Sequence, residues 1–380
     1  MNITIPKETQ KNENRIALMP SNVQKLVKLG ANVTIESGLG KSLNISDSVF
    51  VDAGAKVATK KLFFHNADIV LRLHPPQTKE ISVLKKNSLH ISYLNPFTNH
   101  SLLQKLAQNN INAIAMEMIP RSTRAQKMDA LSSQASLAGY VAVIMAADSI
   151  NKIFPMMMTP AGTISPTRIF VIGAGVAGLQ AIATAKRLGA RVDAFDTRSR
   201  VEQEIQSLGA KFVKIDLGET GQTKDGYAKE LTTEQLEKQR TVLKQYCSQA
   251  DVVITTAQIF GKKAPCIITK EMVNSMKPGS VVVDLAIETG GNVEGTKSDS
   301  VIEINGVKII GLHNIPSHVA ADASQMYGNN LTNLIEEFWN KEKKEMNLPL
   351  DDEIIKSCLI TYQGKIVHPM FEKIVVKKKK

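Results

Sequence analysis

Arg168-Ile-Phe-Val-Ile-Gly173-Ala-Gly175-Val176-Ala-Gly178 sets three glycines in GxGxxG spacing directly behind a run of apolar residues. Glycines in that pattern do their chemistry through the backbone. Gly173 permits a tight turn, Gly175 lets the chain approach a pyrophosphate, and Gly178 lets a helix pack closely on the preceding strand. A helix opening at Val176 would offer unpaired N–H groups and a partial positive charge to phosphate oxygens. Asp196 stands 18 residues beyond Gly178, followed by Thr197. A carboxylate there can accept hydrogen bonds from both hydroxyls of a ribose. Strand, glycine turn, helix and acid together indicate a dinucleotide site rather than a glycine-rich structural turn. A carboxylate repels a 2′-phosphate, so the expected ligand is NAD(H) rather than NADP(H). Arg198 runs against that preference unless it is simply a solvated side chain.

A second polar set lies upstream in Arg121-Ser-Thr-Arg-Ala-Gln126-Lys-Met-Asp129-Ala-Leu-Ser132-Ser133. If the segment is helical, Gln126, Asp129 and Ser133 share one face. The competing reading makes Asp129 the N-cap of a helix, with no chemistry of its own. Thr255, Thr256 and Ala257 close an apolar run, and Glu288 follows another. Both places fall at the carboxyl edge where open α/β sheets bind ligands. Gly218-Glu-Thr-Gly221-Gln-Thr-Lys-Asp-Gly226-Tyr227 reads as a polar loop, either a closing flap or plain surface. His313 and His318 are expected to be structural.

The elements that must position these residues alternate between strand and helix. Asn2–Ile5, Asn32–Glu36, Asp68–Leu73, Ser88–Tyr93 and Ile111–Met116 read as strands, with a helix over Ser21–Leu29 stopped by Gly30. Six more strands are expected at Arg168–Gly173, Arg191–Asp196, Lys211–Asp216, Asp251–Thr256, Ser280–Leu285 and Val307–Leu312. The fold class is therefore α/β, with two Rossmann-like domains, the second a doubly wound parallel sheet. The expected division is 1–131 with 319–380 for the first domain and 132–318 for the second. A helical pattern around Leu331–Trp339 marks the returning segment.

Composition narrows the function classes. The chain has 380 residues, 43% of them hydrophobic, which is enough for two cores. The charged start, Met1-Asn-Ile-Thr-Ile-Pro-Lys-Glu, does not read as a secretion signal. The richest apolar stretch, Val141–Met158, is interrupted by Asp148, Asn151, Lys152 and Pro155, so no membrane span is expected and the chain should be soluble. Cys247, Cys266 and Cys358 are far apart, with no CxxC or HExxH, which argues against a metal site or disulfides and fits a reducing cytoplasm. The net charge of +11 comes from 47 basic and 36 acidic residues, with lysines concentrated at Lys373 and Lys377–Lys380. That tail reads as a solvated end or as a segment drawn to anionic lipid or an acidic partner. The other basic residues are scattered, against nucleic-acid binding.

Several blocks resemble the family of alanine dehydrogenases and proton-translocating nicotinamide nucleotide transhydrogenases. They are Pro6-Lys-Glu with Glu13-Asn-Arg15-Ile-Ala-Leu-Met-Pro20, Glu36-Ser-Gly-Leu-Gly40 and Asp52-Ala-Gly-Ala55. Arg121 to Tyr140, Phe154-Pro-Met-Met-Met-Thr-Pro-Ala-Gly162 and Asn314 to Ser324 resemble the transhydrogenase version specifically. An alanine dehydrogenase needs a lysine and a histidine to hold its keto acid and handle a proton. The matching positions here hold His74 and Asn95, and Asn95 is no acid or base near neutral pH; Arg15 remains and could still hold a carboxylate. Transhydrogenation passes a hydride directly between two nicotinamide rings and needs alignment instead.

The resemblance implies that Arg121, Gln126, Asp129 and Ser132 surround the nicotinamide and that Gly173, Gly175, Val176, Gly178, Asp196, Thr197, Thr256 and Ala257 hold NAD(H). It also implies that Tyr227 belongs to a mobile loop closing on the nucleotide. NADP(H) is expected on a separate partner component and proton conduction on a membrane-spanning one. The chain resembles the split form, in which the NAD(H)-binding piece is a separate polypeptide, a homodimer in the bacterial cytoplasm at the inner membrane through its partner subunits. The rivals are an alanine dehydrogenase-like amino-acid oxidoreductase and a non-catalytic NAD(H)-sensing module.

Overall fold

The computed structural model describes residues 1–59, 64–218 and 232–372. Gly221, Gly226 and Tyr227, and the terminal Lys373 and Lys377–Lys380, lie outside the described residues. The chain divides into two compact units, Met1–Gln134 with Ser317–Lys380, and Ala135–Pro316.

The first unit is built on an eight-stranded sheet. Its order is Lys365–Ile366, Leu359–Tyr362, Asn112–Ala115, Leu89–Ser92, Ile69–Leu71, Asn2–Ile5, Asn32–Glu36, Lys56–Ala58. The six strands from Asn112–Ala115 to Lys56–Ala58 are mutually parallel, and in chain order they lie 3-2-1-4-5-6, the doubly wound arrangement. The strand Lys56–Ala58 is an addition to the expected set. Its residues are mostly exposed, so no apolar run announces it. Leu359–Tyr362 pairs antiparallel with Asn112–Ala115 and brings the chain's end into this sheet.

The helix Pro20–Lys28 has proline at its start and ends in a Schellman turn. Gly30 takes φ +92°, the Gly30 N–H donates to Val27 O at 2.9 Å, and the Ala31 N–H donates to Leu26 O at 3.1 Å. The returning helix spans Ala320–Glu337, much longer at its N-terminal end than the apolar pattern around Leu331 suggested. Its first half buries Ala323, Ser324, Tyr327 and Gly328, three small residues and one aromatic that make no apolar stripe. Gly328 permits close approach: a Cβ on it would lie 2.4 Å from Asn22 Oδ1 on the helix Pro20–Lys28.

The second unit holds a seven-stranded sheet in the order Lys211–Phe212, Arg191–Phe195, Arg168–Ile172, Val252–Thr255, Val281–Asp284, Val307–Gly311, Ser300–Ile304. All but the last are parallel, again in the doubly wound order. Side chains alternate between two cores. Ile169, Val171, Val252, Ile254, Val281 and Val283 pack on one face, and Phe170, Ile172, Val253 and Val282 on the other. Burial on both faces explains why these strands read as continuous apolar runs.

The structure corrects three expectations. The strand expected over Lys211–Asp216 is only Lys211–Phe212. It lies at the sheet edge, where one neighbour supplies hydrogen bonds and the chain is free to leave. Ser300–Ile304, unanticipated, closes the other edge as an antiparallel hairpin with Val307–Gly311. The helix Ala130–Ser149 is by length and composition apolar enough to cross a membrane, contrary to the reading of Val141–Met158. It starts eleven residues before Val141 and ends before Lys152, so Asp148 is its only charged residue.

Candidate functional site

At the carboxyl edge of the second sheet, the chain leaves the strands Arg168–Ile172 and Val252–Thr255 in opposite directions of winding. This is the topological switch point, where such sheets open a crevice. The three glycines sit there with three different steric reasons. Gly173 adopts φ +97°, and a Cβ on it would lie 2.6 Å from Thr256 Oγ1. A Cβ on Gly178 would lie 1.8 Å from the Gly173 carbonyl oxygen, so the helix Val176–Arg187 approaches the turn as only glycine allows. A Cβ on Gly175 would meet nothing within 4 Å. No protein atom requires glycine there, and the open space above it suits a ligand's phosphates. Gly175 is the N-cap of that helix, and Val176, its first residue, is exposed beside the opening. This cradle fits the pyrophosphate of a dinucleotide.

Two hydrogen-bonded braces hold the cradle. Thr256 Oγ1 donates to Gly173 O at 3.0 Å, tying the end of the strand Val252–Thr255 to the glycine turn. On the other side, Asp196 Oδ2 accepts from the Ala174 N–H at 2.8 Å. Asp196 is buried, and Thr197 beside it is partly so. Arg198 caps the same carboxylate, donating from Nε to Oδ1 at 2.9 Å and from Nη2 to Oδ2 at 2.7 Å. Arg198 is thus an ion-pair partner of the expected ribose-binding acid, not a solvated side chain.

Behind Thr256 lies a buried pair that no motif revealed. The Ala257 N–H donates to Asn292 Oδ1 at 3.0 Å, and Asn292 Nδ2 returns to Ala257 O and Pro265 O, both at 2.8 Å. Asp284 accepts from the N–H groups of Ala286, Asn292 and Val293 and from Thr255 Oγ1. Burial pushes its carboxyl above the usual range, against those hydrogen bonds. Asp284 ends an apolar strand and Asn292 follows two glycines, so the available signal was two polar residues where the pattern demands apolar ones. Glu288 is exposed and accepts from the Asn314 N–H at 2.6 Å. His313 pairs with Ser298 Oγ at 2.7 Å, a local brace.

In the first unit the segment from Arg121 to Ser133 is not one helix. A 3₁₀ turn covers Gln126–Met128, Asp129 is extended, and the long helix begins at Ala130. Asp129 caps that helix, accepting from the Ser132 N–H at 2.9 Å and from Ser132 Oγ at 2.6 Å. Capping needs extended backbone at Asp129, which breaks the helical phase. The face expected to carry Gln126, Asp129 and Ser133 therefore does not form. Ser133 turns to Asn330 Oδ1 at 2.7 Å, while Ser132 joins Asp129. Arg121 Nε lies 4.0 Å from Asp129 Oδ2, and Gln126 is exposed. Arg121, Asp129 and Ser132 thus form one polar group, with Gln126 beside it in sequence and open to solvent.

The returning helix anchors this loop. Asn330 Nδ2 and Asn333 Nδ2 both donate to Lys127 O, at 3.1 and 2.9 Å. Glu337 pairs with Arg124 at 2.8 Å and Lys127 at 2.7 Å, and Asp352 takes Arg124 Nη2 at 2.7 Å.

At its own switch point the first unit carries ion pairs. Arg15 forks onto Glu13 through Nε and Nη2 at 2.9 and 2.7 Å and donates from Nη1 to Gln134 Oε1 at 2.8 Å. His74 Nε2 is 2.6 Å from Glu13 Oε2. Burial alone would raise the Glu13 carboxyl, but hydrogen bonds from Arg15 and His74 outweigh it and bring it to about 2. With its fork on Glu13, Arg15 does not present it to a substrate carboxylate. Asn95 sits at φ +52° with its N–H on Glu117 Oε1 at 2.6 Å. Burial pushes Glu117 up to about 7.

The two halves of the chain match two family descriptions: Alanine dehydrogenase/PNT, N-terminal domain, over residues 4–138, and Alanine dehydrogenase/PNT, C-terminal domain, over residues 142–369. The chain belongs to the alanine dehydrogenase/PNT family. Within that family it is 44% identical to the first part of the NAD(P) transhydrogenase alpha subunit of Rhodospirillum rubrum, over 97% of this chain and 98% of that one. A solved transhydrogenase from Sinorhizobium meliloti superposes with a TM-score of 0.85 at 40% identity, covering 97% of this chain and all of the other. A solved L-alanine dehydrogenase superposes nearly as well, with a TM-score of 0.81 over 99% of both chains, but at 25% identity. Backbone likeness thus holds across the alanine dehydrogenase/PNT family, while sequence identity places this member on its transhydrogenase side.

Proposed function

We propose that this chain is the NAD(H)-binding component of a proton-translocating transhydrogenase. Its activity would be direct hydride transfer between NADH held here and NADP⁺ on a partner component, coupled to proton movement by a membrane-spanning component. The observation that carries the reading is the cradle at Gly175, open above and braced by Thr256 and Asp196 below. Bound NADH would supply the hydride. Gly173, Gly175 and the N–H groups at Val176 and Gly178 hold its pyrophosphate, while Asp196 and Thr197 receive the adenosine ribose and Thr256 and Ala257 line the floor. Arg121, Gln126, Asp129 and Ser132 orient the dihydronicotinamide, a positioning task that moves no substrate proton. Tyr227 is assigned to the loop that closes the site.

The ion-paired Arg15 and the neutral Asn95 weigh against an alanine dehydrogenase-like reaction. The polar Arg121–Ser132 group weighs against a purely sensing module, which has no need to orient the ring. The chain would work at the cytoplasmic face of a bacterial inner membrane, held there by its partner subunits.

A homodimer is supported by apolar surface on the second unit. All residues of the hairpin Met157–Thr159/Gly162–Ile164 are exposed, with Met158 at 72%. A lone two-stranded hairpin is marginal in water, so a covering surface is needed. Tyr140 and Ile144 on the apolar helix Ala130–Ser149 are exposed as well, and a second copy of this unit would match apolar surface with apolar surface. Sedimentation of the purified chain should show a dimer, and a monomer at micromolar concentration would refute that component of the reading.

The deciding experiment mixes the chain with an NADP-binding transhydrogenase component and follows hydride exchange by single-turnover stopped flow. Exchange is expected, and Arg121→Ala and Gln126→Asn should slow it about 100-fold with NADH affinity little changed. With pyruvate and ammonia instead of the partner, NADH should not be oxidised above a no-enzyme blank. Variants that transfer at the parent rate would remove the loop from the site.

A further inference from the structure

An ionised carboxylate offers about four lone-pair positions, two on each oxygen. On Asp196 four donors fill them. Oδ1 accepts from the Arg198 backbone N–H at 2.9 Å and from Arg198 Nε at 2.9 Å. Oδ2 accepts from the Ala174 N–H at 2.8 Å and from Arg198 Nη2 at 2.7 Å. Two of these donors are backbone groups built into the turn and cannot leave without dismantling it. The other two are the fork of one side chain, one bond to each oxygen. A ribose diol also brings two donors, one for each oxygen of the acid. The fork and the diol therefore require the same two positions.

We propose that Arg198 is a specificity-determining residue: it competes with the nucleotide's ribose for Asp196 and, once displaced, is the cation available to a 2′-phosphate. The inference rests on the NAD(H) reading of this cradle and adds a second layer to it. The Asp196 carboxylate excludes NADPH by charge, and its own ion pair weakens both that exclusion and the grip on NADH. Arg198 has the chemistry for the second role, because a guanidinium fork pairs with phosphate as readily as with carboxylate. It also has the position, since a side chain only two residues beyond Asp196 stays at the mouth of the ribose site when it lets go.

The two roles make opposite forecasts for two substitutions, which separates them from a merely structural brace. Removing the arginine clears two acceptor positions for the ribose and removes the phosphate's partner. Removing the acid releases the arginine to the phosphate.

The test is equilibrium titration of the full-length chain with NADH and with NADPH, read by calorimetry. The proteins are the parent, Arg198→Ala, Arg198→Gln, Asp196→Ala and the double variant Asp196→Ala/Arg198→Ala. Either Arg198 variant should bind NADH more tightly and NADPH more weakly, widening the NADPH-to-NADH Kd ratio about tenfold, the scale of one charge-assisted contact. Asp196→Ala should narrow the ratio, and the double variant should keep only part of that narrowing, because the carboxylate's repulsion is gone but so is the phosphate's partner. Arg198→Gln keeps length and polarity, so it reports even if the alanine variant folds poorly, which a thermal melt would reveal. An unchanged ratio in both Arg198 variants, or equal weakening of both nucleotides, overturns the proposal. So does an Asp196→Ala gain in NADPH affinity that survives undiminished in the double variant. A parent chain with no preference for NADH would instead defeat the NAD(H) reading itself, a separate outcome visible in the first titration.

Discussion

The two units wind their parallel strands in the same order, and each therefore has a switch point at the carboxyl edge between its first and fourth strands. What stands there differs. In the second unit the chain passes through Gly173 and Gly175 on one side and Thr256 on the other, and backbone faces open space. In the first unit the same places carry Glu8 and His74. Glu8 accepts from the Leu73 N–H at 2.7 Å, Glu13 holds Arg15 and His74, and buried Arg72 is paired with Glu80 at 2.6 Å. One crevice is kept empty by the absence of side chains; the other is filled by side chains that satisfy each other. Topology supplies the place, and residue size and charge decide whether a ligand can use it.

The contrast breaks most sharply at the glycines. Gly178→Ala puts a methyl 1.8 Å from a backbone oxygen, where no rotamer can relieve it. It should cost about 3 kcal/mol or more of stability, seen as a lower denaturant midpoint. Gly175→Ala adds the same methyl where nothing lies within 4 Å, at φ −80°, which alanine tolerates. Its stability should stay within about 0.5 kcal/mol of the parent while NADH affinity falls about tenfold or more by calorimetric titration. Equal effects from the two substitutions would mean that Gly175 serves packing rather than a ligand.

A pH-dependent effect probes the first unit. Glu117 has its carboxyl raised by burial to about 7 from 4.5. Below about pH 4.5 both folded and unfolded chains carry the proton and no difference arises. As pH rises from there to 7, the unfolded chain releases the proton while the folded chain keeps it, so stability falls. The loss from this one group approaches about 3 kcal/mol and levels off above pH 7. Glu117→Gln keeps an acceptor for the Leu94 and Asn95 N–H groups and removes the titration. Its stability relative to the parent should therefore improve by most of that amount between pH 5 and 8. A constant difference across that range in denaturant titrations would show that Glu117 is ionised throughout.

The strongly patterned regions of the fold were legible in the sequence. The strand Arg168–Ile172 and the turn behind it follow from apolar residues meeting glycines, and Gly30 stops its helix as a C-terminal glycine does. The edges of the sheets were less legible: Lys56–Ala58 and Ser300–Ile304 were not expected, and Lys211–Phe212 was expected but too long. Lys56–Ala58 and Lys211–Phe212 are largely solvent-exposed, and Ser300–Ile304 alternates partly buried and exposed residues, so none carries a continuous apolar run. Within the candidate site, Asp129 shows the limit. Its capping role and its place beside Arg121 and Ser132 were separate readings of one segment, and the cap itself sets the geometry by interrupting the helix.

Residue type and short-range spacing were enough for the α/β class and the glycine turn with its acid. A linear chain carries that information intact. Folding was needed to close Arg198 over Asp196, to set Asn292 and Asp284 as the floor beneath Thr256, and to fasten the Arg121–Asp129 loop with Asn330 and Glu337. These are pairings of polar groups, most of them far apart in the chain. A hydrogen bond is directional and only about 3 Å long, so its partners are known once folding has placed both.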